Sequence, residues 1–399
     1  MKAGNATLSG YGTTIFEAMS ALAREHAAVN LGQGFPDDRG PEPLRAAAAA
    51  YVVDGHNQYP PMMGMPALRQ AVADHDRRCY GLDVDWQTEV LVTSGATEAL
   101  FDCFLGLLEP GEEVVVLEPA YDTYVPVIRR LGAIPRPVRL VPPTWSLPRA
   151  ELEAAFSPRT KLLVLNSPMN PAGKVFTRDE LAFLADLVIR HDAYAVCDEV
   201  YEHLVFDGAT HVPLMTLPGM RDRALRIGSA GKTFSLTGWK VGYITAPAAL
   251  LRPITKAHQF VTFTTPPNLQ HAVAGGLAMD DAYFAGLGAP LARSRDRLAR
   301  GLAALGVPTL PGQGTYFLVL DVSRWLRPGE DDIAFCRRLV VEAGVVLIPM
   351  GAFYEADGPR HLVRACYCKA DATLDAALQR LARWAGLPQV GAGVSADRG

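Results

Sequence analysis

The residues best placed to do chemistry lie in Ser229-Ala-Gly-Lys-Thr-Phe-Ser-Leu-Thr-Gly-Trp-Lys-Val-Gly-Tyr243. Apolar runs precede it, at Ala224 to Gly228, and close it, at Val241 to Ala246, and both read as buried strands. Lys232 therefore stands where the backbone leaves a sheet. An ammonium there is either solvated or put to use. If it is desolvated near other cations, its pKa falls and the amine becomes a nucleophile toward aldehydes. Ser229, three residues earlier, and Lys240, eight later, can converge on an anion. A polar loop with surface lysines is the plain alternative.

Other residues invite the same two-sided reading. Asp198 sits directly behind the apolar strand Ala193 to Cys197, where an unpaired carboxylate is costly. A protonated ring nitrogen would be a fitting partner and Mg²⁺ the alternative. No Gly-x-x-x-x-Gly-Lys-[Ser/Thr] loop accompanies it, which argues against nucleotide hydrolysis. Asn170, held between Pro168 and Pro171 at the end of the strand Lys161 to Asn166, offers a fixed amide to a phenolate-type oxygen. Tyr201 can reach the same oxygen. Tyr121, just past the strand Glu113 to Leu117, either stacks on a flat heterocycle or fills the core. Gly95, Ala96 and Thr97 open a helix after the strand Glu89 to Thr93 and present free N–H groups to an anion. Gly32 and Gly34 permit close backbone approach or merely a turn. Arg364, central in the apolar run His361 to Tyr367, either snorkels outward or forks a carboxylate.

The elements that must position these groups alternate between strand and helix from about 89 to 246. That pattern implies an α/β fold with a mostly parallel sheet and helices on both faces. No Gly-x-Gly-x-x-Gly follows a strand, so a dinucleotide site is not expected. Residues 134–160 read as a proline-rich connection with a short helix, and 268–305 as a long helical region. Its Arg293, Arg295, Arg297 and Arg300 read as a solvated face. Gln259, Phe260 and Phe263 are expected to line a pocket wall. The chain closes on a smaller α+β unit, with strands at 314–320, 345–349 and 361–367 around a helix at 331–343.

Taken in chain order, Leu31-Gly-Gln-Gly-Phe-Pro-Asp37, Asn170-Pro-Ala-Gly173, Asp198-Glu-Val-Tyr201 and Ser229-Ala-Gly-Lys232 with Lys240 resemble the fold type I aminotransferases that use pyridoxal 5'-phosphate. The likeness runs from Val29 to Trp384 and is nearest to the branch of kynurenine, methionine and N-succinyl-diaminopimelate aminotransferases. It implies an arm at 1–40 joining the small domain, a large cofactor-binding domain at 41–290 and a small domain at 291–387. It also implies that Lys232 carries the cofactor and shuttles a proton. Ser229, Lys240, Gly95, Ala96 and Thr97 would hold the phosphate, joined by Tyr59 from the neighbouring subunit of a homodimer. Asn170 and Tyr201 would meet the ring oxygen, Asp198 the ring nitrogen, and Tyr121 the ring face. Arg364, Gly34 and Asn170 would hold the substrate carboxylate.

The implied reaction moves the amino group of an L-amino acid to a 2-oxo acid by a ping-pong mechanism. The same fold also runs carbon–sulfur β-elimination, which stands as the alternative. Cofactor-binding regulators on this fold carry an N-terminal DNA-binding domain, for which residues 1–40 are too short. Kynurenine enzymes place a tryptophan and a histidine where Ile15 and Thr264 align here, which leaves room for flexible or medium-sized side chains.

Composition narrows the partners. The chain has 399 residues, 49% of them apolar, and a net charge of -4 with both signs interspersed. That argues against a nucleic-acid or anionic-membrane surface. No apolar run reaches membrane-spanning length, and Met1 to Thr7 has no apolar signal core, so a cytoplasmic location is expected. The six cysteines form no Cys-x-x-Cys pair and read as reduced core residues. The histidines show no metal spacing; His203 and His258 read as packing or surface residues, and no metal is expected. The Gly-, Ala- and Ser-rich tail at 388–399 is expected to be disordered.

Overall fold

A computed structural model describes residues 2 and 4–387, and the tail expected at 388–399 lies outside them. Its strands are β1 (Val29–Asn30), β2 (Val90–Thr93), β3 (Glu113–Glu118), β4 (Ile134–Arg139), β5 (Thr160–Asn166), β6 (Tyr194–Asp198), β7 (Ala224–Ser229), β8 (Gly242–Thr245), β9 (Phe317–Asp321), β10 (Val345–Val346), β11 (Ile348–Pro349) and β12 (Leu362–Cys366). Seven of them form one sheet in the order β2-β8-β7-β6-β5-β3-β4. Strands β3, β5, β6 and β7 read as apolar runs without polar alternation, and every residue of β3 and β7 is buried. Helices cover both faces of such strands, so neither face needs polar side chains.

Strand β8 alone runs against its neighbours β2 and β7. This reversal matters for the site. The parallel strands end on one edge of the sheet, and β8 begins on that edge. Gly242, its first residue, pairs with both Thr93 and Ser229. Lys240 therefore arrives beside the residues that follow β2 and β7.

A second, antiparallel sheet has the order β11-β12-β9 and places Arg364 between Ile348 and Val319. Strand β1 pairs in parallel with β10, which ties the N-terminal segment to the C-terminal part of the chain. Local signals set several helix ends. The helix Arg178–Arg190 starts at a capping box made by Thr177 and Glu180. The helix Pro66–Tyr80 starts on its proline and stops at Gly81, whose φ of 68° is left-handed.

Four expectations need correction. The stretch 134–160 is not only connection and helix, because β4 lies within it. Pro135 and Pro137 are tolerated there because β4 is an edge strand, where a missing N–H breaks no ladder. The region 268–305 divides into three helices, Pro267–Leu277, Asp281–Gly286 and Gly288–Ala304. Its arginines are not all solvated: Arg295 bonds Asp207 and Asp296, and Arg297 grips Asp375 with contacts of 2.8 and 2.5 Å. Cys79 is exposed, whereas Cys103, Cys197, Cys336, Cys366 and Cys368 are buried. Among the described residues no helix is long and apolar enough to cross a membrane.

Candidate active site

Loops at the edge where β3, β5, β6 and β7 end surround a cavity of about 490 Å³. Gly34, Gly95, Ala96, Thr97, Tyr121, Asn170, Asp198, Tyr201, Ser229, Lys232, Lys240 and Arg364 all line it. Ligands gather at such an edge because helix N-termini and strand ends leave backbone groups free there.

Lys232 lies in the short helix Ala230–Thr233, directly after β7. Its Nζ is 5.7 Å from the ring centres of both Tyr201 and Tyr316. Burial pulls its pKa below the ordinary lysine range, and the nearby Cys368, Cys366 and Asp198 only partly oppose this. An amine so placed is a readier nucleophile and base than a solvated lysine.

Asp198 ends β6, with Oδ2 accepting from the Tyr124 hydroxyl at 2.5 Å. Its Oδ1 is buried with no hydrogen-bond partner. Burial pushes the carboxyl up to about 6 in spite of the Tyr124 bond. A buried carboxylate oxygen without a donor is the mark expected where a cationic ring nitrogen docks.

The anion cradle is built from two left-handed residues. Gly95, with φ of 79°, opens the helix Gly95–Leu107, and Lys240, with φ of 54°, crosses it. The left-handed φ favours glycine at 95, and a Cβ there would also press on Lys240 Cε at 3.3 Å, so glycine lets the lysine lie over the turn. Gly242 serves the same approach, since a Cβ there would come within 2.6 Å of the Gly95 carbonyl carbon. Ser229 and the N-terminus of the 95–107 helix complete the lining on that side.

Arg364 does not snorkel outward but is buried at 2% exposure. Its Nη1 donates to Asn170 Oδ1 at 2.8 Å and its Nη2 to Gly32 O at 2.7 Å. The guanidinium lies 3.9 Å from the Phe317 ring centre, and its Nε is unpartnered. Burial lowers its pKa to about 10, so it stays charged at neutral pH. Asn170 is itself fixed, because its N–H donates to Asn166 Oδ1 at 2.7 Å.

These groups fit pyridoxal phosphate: a desolvated amine, an unpartnered acid, a glycine-opened anion cradle, and Tyr121 as an aromatic face. Some expected residues stand elsewhere. Tyr59, expected to act in the neighbouring subunit's site, is 83% exposed, outside this chain's cavity lining, and edge-on to Phe263 at 5.8 Å. Phe260 and Phe263 are exposed and, like Gln259, do not line the cavity. Ile15 and Thr264 are also absent from the lining, where Phe16 and Thr14 stand instead.

Sequence reading also missed a buried support beneath the cradle. Glu98 accepts from the Ser94 N–H at the head of the helix. His258 holds Glu98 through Nδ1 at 2.9 Å and reaches Met62 O through Nε2 at 3.1 Å. Both ring nitrogens face acceptors, so the ring carries both protons. Burial opposes this charge, yet Asp102 and Glu98 hold the pKa up at about 9. The partners lie 160 residues apart, and no local spacing announces them.

Comparison with known proteins places the chain in context. The family model for aminotransferase class I and II matches residues 27–381. A probable N-succinyldiaminopimelate aminotransferase of Mycobacterium tuberculosis is 46% identical over 94% of this chain and 96% of its own. A methionine aminotransferase of Escherichia coli is 40% identical over 93% of this chain and 95% of its own. The solved structure of N-succinyldiaminopimelate aminotransferase from Mycobacterium tuberculosis superposes with a TM-score of 0.93 at 44% identity, covering 96% of this chain and 100% of that one.

Proposed function

Because the chain belongs to the class I and II aminotransferases, we propose that the cavity around Lys232 is its active site and that Lys232 moves the proton. The enzyme is a pyridoxal phosphate-dependent aminotransferase, which transfers the amino group of an amino acid to a 2-oxo acid. The observation that carries the site assignment is the pairing, in one cavity, of the buried Lys232 amine with the unpartnered Asp198 Oδ1.

When bound, pyridoxal phosphate supplies an aldehyde to which amines add and a cationic ring that takes up the electron pair of a breaking Cα–H bond. Lys232 would hold the group through its amine and, once the substrate amine takes that place, would be the free base. It takes the proton from the substrate Cα and returns it on the other side of the transfer. Asp198 Oδ1 would hold the proton on the ring nitrogen, with Tyr124 fixing the carboxylate. Asn170 and Tyr201 would meet the ring oxygen, and Tyr121 the ring face. Lys240, Ser229 and the N–H groups of Gly95, Ala96 and Thr97 would hold the phosphate. Arg364, aligned by Asn170 and Gly32, takes the substrate carboxylate beside the Gly34 backbone.

The enzyme acts as a homodimer in the cytoplasm, with Tyr59 reaching the phosphate in the other subunit. The exposure of Tyr59, Phe260 and Phe263 on one chain supports the dimer. The chain divides into a large domain at 41–290 and a small one at 291–387, with the arm at 1–40 joined to the latter. The β1–β10 pairing supports that attachment.

The donor carries a side chain that is apolar for its first several atoms. Among the described lining residues the cations are Lys232, Lys240 and Arg364, and each already has a task. Phe16 and Phe317 supply apolar lining, and the Asp122 carboxylate, also in the lining, repels a nearby second carboxylate. Methionine and N-succinyldiaminopimelate, the donors named for the relatives, both satisfy this. The test is the rate at which single donors change the absorption of the bound cofactor without any 2-oxo acid. Both donors should outpace aspartate by at least about tenfold. A faster aspartate would overturn the side-chain reading and leave the transamination standing.

A further inference from the structure

A second cluster of ligating side chains lies apart from the cavity. His75 and Cys79 stand four residues apart on the helix Pro66–Tyr80, so they share a face. Glu202 and His203 lie in the turn after β6, directly behind Tyr201. His75 Nε2 and His203 Nε2 are 2.8 Å apart, and Cys79 Sγ is 3.6 Å from His75 Nε2. Donor atoms of His75, Glu202 and His203 all fall within 4.8 Å of one another. The Phe284 ring packs on both imidazoles, with centres 4.7 and 4.8 Å away.

Glu202 shows which way the cluster opens. Its Oε2 is taken by the Tyr80 hydroxyl at 2.6 Å and by Arg226 Nη2 at 2.7 Å. Its Oε1 has only the Tyr243 hydroxyl, at 3.5 Å, and faces His203 Nε2 at 4.0 Å. Charge points the same way. Arg226 is the one guanidinium shared by three buried carboxylates, those of Asp76, Glu199 and Glu202.

We propose that His75, His203, Glu202 Oε1 and Cys79 form a zinc site, separate from the catalytic cavity. A nitrogen, nitrogen, oxygen and sulfur set suits tetrahedral Zn²⁺, whose bonds of about 2.0–2.3 Å put donors about 3.3–3.6 Å apart. The sulfur stands at that spacing from His75 but outside the group that His75, Glu202 and His203 form, so the Cys79 side chain must turn toward them, and the two nitrogens need to part by about half an ångström. Zinc replaces the proton shared between the imidazoles, which moves to His75 Nδ1, and displaces the Cys79 thiol proton to solvent. Arg78 yields its 3.3 Å approach to Nδ1 and keeps its bond to Leu277 O at 2.9 Å. Exposed Cys79 gives the ion a way in.

The test is zinc uptake by the cofactor-loaded protein after treatment with a chelator, measured by equilibrium dialysis against zinc chloride. One zinc per chain is expected, with affinity reduced at least about tenfold in His75→Gln and in His203→Gln. Neither residue touches the catalytic cavity, so both variants should keep their turnover, which also reports that they fold. With Co²⁺ in place of zinc, the parent should show a sulfur-to-metal absorption band that Cys79→Ser lacks. Uptake well below one zinc per chain in the parent would overturn the proposal. So would uptake unchanged when His75→Gln and His203→Gln are combined, or abolished instead by His258→Gln.

Discussion

Tyr124 and Asp198 share a single 2.5 Å hydrogen bond that uses one carboxylate oxygen and leaves the other buried and unpartnered. The pair lies 74 residues apart in sequence. It joins the start of the helix Tyr124–Arg130 to the end of β6, and so fixes the acid before any ligand arrives.

From this follows a pH dependence. Burial holds Asp198 at about 6, and a cationic ring nitrogen needs it ionised. Cofactor affinity should therefore fall as pH drops below about 6. Removing the Tyr124 hydroxyl takes a donor from the charged form, so Tyr124→Phe should move the falling limb to higher pH. Dissociation constants for pyridoxal phosphate across pH, compared between the two proteins, check this; identical midpoints would contradict it.

Gly242→Ala should loosen the cofactor by at least about tenfold while the chain still folds. The added Cβ would meet backbone at 2.6 Å, at the Gly95 carbonyl carbon, and at 2.8 Å, at the Ala96 nitrogen. Neither atom is the free end of a flexible side chain, so the cradle itself must move. Cofactor affinity and a thermal melt of the same variant separate the two effects.

His258 should give stability a basic limb. Its folded pKa is raised to about 9, above its ordinary value. A raised histidine stabilises fully below the unfolded pKa of about 6.5, and that contribution is lost as pH rises through 9. The loss should be on the order of 3 kcal/mol. Denaturant unfolding from pH 6 to 10 should show it in the parent and not in His258→Gln.

The cavity was largely legible in the sequence because its residues follow strands directly. Asn170, Asp198, Tyr201, Ser229 and Lys232 each stand within a few positions of an apolar run, and the parallel sheet brings those ends together. Tyr124, Glu98 and His258 were not legible, because long-range packing alone makes their contacts. Phe16 was missed by one position, because which side of the helix Ile15–Glu25 meets the cavity depends on long-range packing. Strand β4 was hidden by two prolines that only an edge position tolerates. The His75–His203 pair joins a helix and a turn 128 residues apart, so neither histidine shows metal spacing in the sequence.

The most direct test of the central claim is one half-reaction of Lys232→Ala, loaded with pyridoxal phosphate and mixed with methionine alone. The variant should fold and bind the cofactor, since the phosphate cradle, Asp198 and Tyr121 remain. Conversion of the donor should fall by at least about three orders of magnitude, because no other group at the cavity takes the Cα proton. A small added amine should restore part of the rate. Conversion at the parent rate would contradict the account.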